Sequence, residues 1–382
     1  MPPPPRILDS HIHLWPHSST NPAGHAWMAP DGPLTRQFSL SDYLAASSSS
    51  TTSSTPAPSR VLGAVYIETD RTLTPSPSIL TRAAQPLAEL RWLRRLVTGS
   101  PLPGEGFAGA GGDGDGASLL WGVVPWLPVD GTVGEMREYV RAAEEAAGPE
   151  AWARVVGWRF LLQGRRDEGA LGEVLGGEGW VEGVREVLVR GGKGGKGWCF
   201  DVGVDAGGAG AWQVERGVEA CERVNEGVGE GEEGVRFVLN HLCKPDMQQH
   251  PTTPAQLDAF ARWAAAIRRA GRSPHTYMKL SGAFSEMGPD SASLWTDPER
   301  VLARMRPWLD VLFDAFPPER IMFGSDWPVC NVQGGGDSAW RCWVNAVERI
   351  LDAYGLTEEQ RDRVWYGTAV EAYRLTPPGE KA

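Results

Sequence analysis

Two histidines stand one residue apart in the stretch ILDSHIHLWP, at positions 11 and 13. The stretch is apolar enough to read as a buried strand, whose alternate side chains share one face. His11 and His13 therefore point the same way, and burying two imidazoles side by side is unfavourable unless something pairs with them. A metal ion is such a partner, since imidazole is the commonest protein metal ligand. Two nitrogens do not complete a site, so other ligands must come from elsewhere in the chain.

Polar residues recur at the ends of later apolar runs. They are Glu68 in YIETD, Arg159 and Gln163 in GWRFLLQ, and Asp201 in CFDVGVD. Asn240, His241 and Lys244 follow in VLNHLCKP, then Lys279 and Ser281 in MKLSGAF, and Ser325 and Asp326 in FGSDWP. Only the run ending VVPWLP offers a tryptophan instead. His11, His13, Glu68 and Asp326 make a nitrogen and oxygen set for one borderline divalent ion, with zinc the first choice. His241 is either a further ligand or a neighbour of the ligands. Glu68 also reads as a solvated loop residue, and His241 as a partner of a backbone carbonyl. His17, His25, His250 and His275 read as surface residues. The run around Arg159 has no lysine, so a carbamylated lysine bridging two metals is not expected there.

Eight apolar runs rich in Val, Ile, Phe and Trp supply the strands that must position these groups. They begin with RILDSHIHLW, VLGAVYIETD, LLWGVVPWLP and VVGWRFLLQ. GWCFDVGVD, VRFVLNHLCKP, TYMKLSGAF and RIMFGSDWPV complete the set. Segments with helical periodicity, such as VGEMREYVRAAEEAAG and AQLDAFARWAAAIRRAG, lie between most of them. Eightfold alternation is the pattern of a single (β/α)8 TIM-type barrel over residues 1–382, whose active site gathers at the C-terminal strand ends. The segments 46–59 and 101–117 are Ser/Thr- and Gly-rich and read as flexible insertions. Neither Gly-rich run has a phosphate-loop context.

Composition bounds the partners. The net charge is −11, which argues against nucleic acid or an anionic membrane surface. No stretch has the apolar length of a membrane span, and MPPPPRIL lacks a signal-peptide pattern, so a cytoplasmic protein is expected. Five scattered cysteines without Cys-x-x-Cys imply neither a zinc ribbon nor a disulfide framework. Most of the 17 tryptophans read as packing, with sugar stacking open to one or two. Oligomeric state is not readable.

DSHIHLWP, YIETD, GWRFLLQ, LNHLCKP, MKLSGAFSE and MFGSDWPVCN, in this order, resemble the amidohydrolase-related branch containing sugar-lactone and dicarboxylate-lactone hydrolases. NPAGHAWM, WQVE and HLCKPD narrow the similarity to the fungal L-rhamnono-1,4-lactonases. The resemblance implies a catalytic centre of His11, His13 and Asp326, joined by Glu68 and His241, and a small sugar lactone as substrate. Asp326 would be the general base for water, and the metal, His241 or Lys244 would stabilise the oxyanion. Arg159 would take the nascent carboxylate, and Asn240, Lys279 and Ser281 would hold substrate hydroxyls. No Gly-x-Ser-x-Gly elbow supports a serine route. Alternatives are fucono-, galactono- or pyrone-dicarboxylate lactones, a metal-dependent decarboxylase of the same superfamily, and an inactive barrel that binds a sugar acid.

Overall fold

The computed structural model describes residues 6–47, 61–105, 118–192, 195–228, 233–288, 294–333 and 335–376. Each of the eight apolar runs forms a strand. These are β1 (Ile7–Ile12), β2 (Val61–Ile67), β3 (Leu120–Val124) and β4 (Gly157–Leu161). β5 (Cys199–Gly203), β6 (Arg236–Leu239), β7 (Thr276–Leu280) and β8 (Ile321–Phe323) follow. Parallel strands buried on both faces need apolar side chains on both, which is why the runs are nearly unbroken.

β1 to β3 pair in order, as do β4 to β8, all in parallel. Two seams join these groups. Between β3 and β4, Arg159 N donates to Pro125 O at 2.9 Å and Leu127 N to Arg159 O at 2.9 Å. Between β1 and the segment after β8, Asp326 N donates to His11 O at 2.9 Å and His13 N to Trp327 O at 2.7 Å. Pairing therefore runs from each strand to the next and back to the first, the architecture expected of an α/β barrel.

Helices on the outside begin at caps written into the sequence. Thr132 and Glu135 form a reciprocal capping box on Val133–Trp152, and Thr253 and Gln256 do the same on Pro254–Gly271. Ala84–Thr98 ends at Gly99, whose φ of 64° is the left-handed stop that glycine adopts without strain. The ends of the two expected insertions are structured. Ala46 and Ser47 are buried at the end of the helix Leu40–Ser47, and buried Glu105 accepts from Arg95 Nε at 2.9 Å. The rest of both segments lies outside the described residues. No described helix is long and apolar enough to cross a membrane.

Inside the ring, Leu8, Val65, Cys199, Val238, Tyr277 and Met322 pack with Tyr373 and Leu375 from the C-terminal turn. Two residues further along the strands, on the same inward face, stand Asp201, Asn240 and Lys279. Lys279 Nζ meets Asp201 Oδ2 at 2.6 Å, and Tyr373 donates to Asp201 Oδ1 at 2.7 Å. Both members of the ion pair have no solvent exposure. Removing one partner of such a pair strands the other charge in a dry interior. Asp201→Asn should lower folding stability by about 3–5 kcal/mol, read from the midpoint of urea denaturation.

Candidate active site

β1 carries its register into a bulge between Asp9 and Ile12, and the chain beyond it is fixed by the seam to Trp327. This brings His11 Nε2 and His13 Nε2 to 3.1 Å from each other. His13 Nδ1 lies 2.9 Å from Ile67 O. A carbonyl only accepts, so Nδ1 carries the proton and the Nε2 lone pair faces the barrel mouth. His11 Nδ1 lies 3.0 Å from the Lys279 ammonium beneath it.

Asp326 sits where β8 turns out of the sheet, at a φ of 59° that Asp tolerates better than most residues. Its Oδ1 lies 3.6 Å from His11 Nε2, 3.5 Å from His13 Nε2 and 3.7 Å from His241 Nε2. Burial works to raise the Asp326 pKa, but the charges and hydrogen bonding of His241, His13 and Lys244 outweigh it, leaving a carboxylate below its ordinary range. His241 is pulled down to about 3, first by burial and then by Lys244 and Lys279 against the opposing pull of Asp326. Burial, then Lys279, likewise lowers His11. Both rings are therefore neutral at pH 7.

His241 is held unusually. His241, Leu242, Cys243 and Lys244 all have φ between 49° and 60°, one turn of left-handed backbone that is unfavourable for each residue. The turn aims His241 inward, where its Nδ1 meets Ser281 Oγ at 2.8 Å. Gly282, at φ 67°, allows this approach, because a Cβ there would lie 2.7 Å from the imidazole.

The group opens into a cavity of about 270 Å³. His13, His241, Asp326, Arg159 and Lys244 are among its polar lining residues, and Trp15, Trp27 and Leu34 among its apolar ones. A larger cavity, about 470 Å³, lies beside Trp121, Arg154 and Tyr373. None of the histidines or Asp326 reaches it, so the chemistry belongs to the smaller one.

Comparison with known proteins places the chain among hydrolase relatives. An L-rhamnono-gamma-lactonase of Scheffersomyces stipitis is 28% identical over 97% of this chain and 99% of its own. An amidohydrolase from Burkholderia multivorans, solved with bound zinc, shares the fold with a TM-score of 0.65 at 22% identity, over 97% of this chain and 99% of that one. The amidohydrolase family model matches residues 232–375. The family match thus covers the C-terminal part of the chain, from just before β6 to nearly the end of the described residues. An L-fucono-1,5-lactonase of Burkholderia multivorans is 35% identical over 38% of this chain and 45% of the relative.

The donor set at the barrel mouth suits one divalent ion. Ligand atoms of His11, His13 and Asp326, all buried, lie within 4.8 Å of one another. The His13 N–H on Ile67 O is the outer contact that orients a metal-binding imidazole. Glu68, expected among the ligands, is not in this group. Its Oε1 accepts from Arg159 Nε at 2.6 Å, and its Oε2 accepts from Asp70 N at 2.6 Å. Arg159 Nη2 also donates to Glu68 O at 2.8 Å, so the fork expected to grip a carboxylate is largely engaged. Burial opposes the Arg159 charge, yet pairing with Glu68 leaves its pKa above the ordinary value.

Other expected substrate contacts sit deeper than the mouth. Lys279 and Ser281 have no solvent exposure; one supports His11 and the other His241, because β7 points them into the barrel interior. Lys244 lines the cavity and pairs with Glu286 at 3.0 Å. Asn240 is 1% exposed, and neither its amide oxygen nor its nitrogen has a partner among the described residues. Arg159, His241, Lys244 and Asp326 thus meet at one cavity, with Asn240 beside it.

Several residues at the site were not among the expected site residues, although most of them lie within the quoted motifs. Asp9 accepts from Ser325 N at 2.8 Å, Tyr43 at 2.8 Å and Trp340 at 3.1 Å, tying β1 to the Asp326 turn. Trp15, Trp27, Thr69 and Asp70 line the cavity. His25, expected at the surface, is fully buried between Ser19 O and Thr69 Oγ1, each 2.8 Å away. Burial first and Arg71 second hold its pKa down to about 3. The unfolded chain, with an ordinary histidine near 6.5, therefore accepts a proton that the folded protein refuses. Stability must fall as the pH drops through 6.5, by about 0.8 kcal/mol from this residue between pH 7.5 and 6. Urea titrations at both pH values should show a drop smaller by that amount in His25→Gln.

Proposed function

We propose that this protein hydrolyses a sugar 1,4-lactone, with L-rhamnono-1,4-lactone opened to L-rhamnonate as the preferred reaction. One observation supports the chemistry above others: a single oxygen of Asp326, at the barrel mouth, is near-equidistant from the Nε2 atoms of three histidines. The relative that spans nearly the whole chain is a rhamnono-gamma-lactonase, which supports the substrate.

A lactone opens when water adds to C1, the ring C–O bond breaks, and the leaving alkoxide gains a proton. Asp326, ionised by its surroundings, takes the proton of the attacking water and returns it to the ring oxygen. His241 is neutral, with Nδ1 engaged by Ser281, and presents Nε2 to the same space to steer that proton. Lys244 keeps its charge at the cavity wall: burial opposes it, but Glu286 holds its pKa above the ordinary value, so it can stabilise the oxyanion. A divalent ion held by His11, His13 and Asp326, zinc by ligand type, supplies Lewis acidity when bound. Arg159, which lines the cavity with Nε and Nη2 engaged by Glu68, would offer its remaining Nη1 to the aldonate carboxylate. The unpartnered Asn240 amide is costly as it stands, by about 1–3 kcal/mol for each unsatisfied group, and a substrate hydroxyl or its water satisfies it.

Proton release on a panel of rhamnono-, mannono-, fucono- and galactono-lactones at neutral pH tests the reading. The rhamnono form should turn over fastest. Asp326→Asn should lower kcat by about a thousandfold while circular dichroism stays unchanged. Absence of hydrolysis across the panel would discard the lactonase reading, and normal turnover by the variant would remove Asp326 from the mechanism.

A further inference from the structure

Of the seventeen tryptophans, Trp27 is the exposed one, at 39%. It stands on the cavity wall facing the catalytic group, and it is held firmly for an exposed side chain. Its Nε1 donates to Thr69 O at 3.0 Å. Its ring meets Trp15 edge-on at 5.6 Å and His25 at 5.2 Å.

The holding parts are themselves buried and polar. The Thr69 hydroxyl lies 2.8 Å from His25 Nε2 and 2.6 Å from Glu89 Oε1, with its one proton serving either acceptor. The same Glu89 oxygen accepts from Thr69 N at 3.2 Å and Tyr66 at 2.8 Å, with Arg71 Nε at 3.4 Å. The other His25 nitrogen is fixed on Ser19 O. A chain of buried hydrogen bonds thus runs from the helix Ala84–Thr98, which carries Glu89, through Thr69 and His25 to the loop bearing Trp27. Exposing an indole to water is unfavourable, and fixing it forfeits rotamer freedom as well. Pre-ordering a binding surface is the return that would justify both, since the ordering is then complete before ligand arrives.

We propose that Trp27 is the stacking wall of the substrate site, and that His25 is the positioning residue that holds it through Thr69 and Glu89. The cavity lining then combines apolar side chains, Trp27, Trp15 and Leu34, with polar ones, Arg159, Lys244 and Asp326. Such a site selects a lactone whose side chain offers a C–H or methyl face alongside its hydroxyls. This deepens the lactonase reading and rests on it.

Kinetics on L-rhamnono- and L-mannono-1,4-lactone, which differ only by a methyl against a hydroxymethyl at C6, test it. Trp27→Ala should raise KM for the rhamnono form about tenfold with kcat little changed. It should also erase the preference between the two lactones at an unchanged melting temperature. Trp27→Phe should fall between. His25→Ala should raise KM likewise, and His25→Gln, which can reach both Ser19 O and Thr69 Oγ1, should recover much of it. If the wild type hydrolyses lactone and Trp27→Ala keeps its KM and preference, the stacking proposal fails alone. If His25→Ala lowers the melting temperature but leaves KM intact, the positioning role fails. If the wild type opens neither lactone nor any other aldonolactone, the lactonase reading falls and this proposal with it.

Discussion

The seam between the first strand and the turn after the eighth governs the site. Two backbone hydrogen bonds, Asp326 N to His11 O and His13 N to Trp327 O, interleave the residues whose side chains meet at the barrel mouth. A peptide bond has little freedom once both its neighbours are paired, so the carboxylate and the imidazoles are positioned by the sheet itself. Asp9 reinforces the seam from behind, where its buried carboxylate takes donors from β1's partner turn and from two outer helices. Burial raises the Asp9 pKa despite these donors, which shows how fully the joint is shielded from solvent.

The barrel interior accepts a stack of charge only because each group has its partner. Lys279 rests on Asp201, Arg159 on Glu68, and Lys244 on Glu286. Each pair lies beneath or beside one of the grouped side chains, so the field at Asp326 and His241 is set by groups that are held in place by their partners. Fixed dipoles and charges in a water-poor cavity stabilise developing charge without rearranging at the moment of reaction. The left-handed turn at His241–Lys244 is the strained counterpart, a local expense that places one imidazole and one ammonium on the same rim.

Much of this was legible in the primary structure, and the limits have physical causes. All eight strands were readable because doubly covered parallel strands need uninterrupted apolar runs. His11, His13 and Asp326 were readable because strand period and strand ends alone place them together. The pairing of Glu68 was not readable because its partner, Arg159, lies 91 positions away. Lys279 and Ser281 were read correctly as polar groups of a strand end but not at their depth, since alternation reveals the face of a strand and not the layer. His25 looked like a surface loop residue because its burial depends on Thr69, 44 positions distant. Trp27 stands in the NPAGHAWM motif, but nothing local to that stretch separates a tryptophan on a cavity wall from the many that pack the core.

The seam has a consequence for synthesis. A ribosome releases β1 first and the Asp326 turn more than 300 residues later, so one edge of the growing sheet stays unpaired for nearly the whole of translation. Tyr373, which secures Asp201, emerges later still. An open edge of this length is a template for mispairing with other nascent chains. The chain must therefore be shielded until its last strand is out, and a slow passage through the final third of the message would lengthen that exposure.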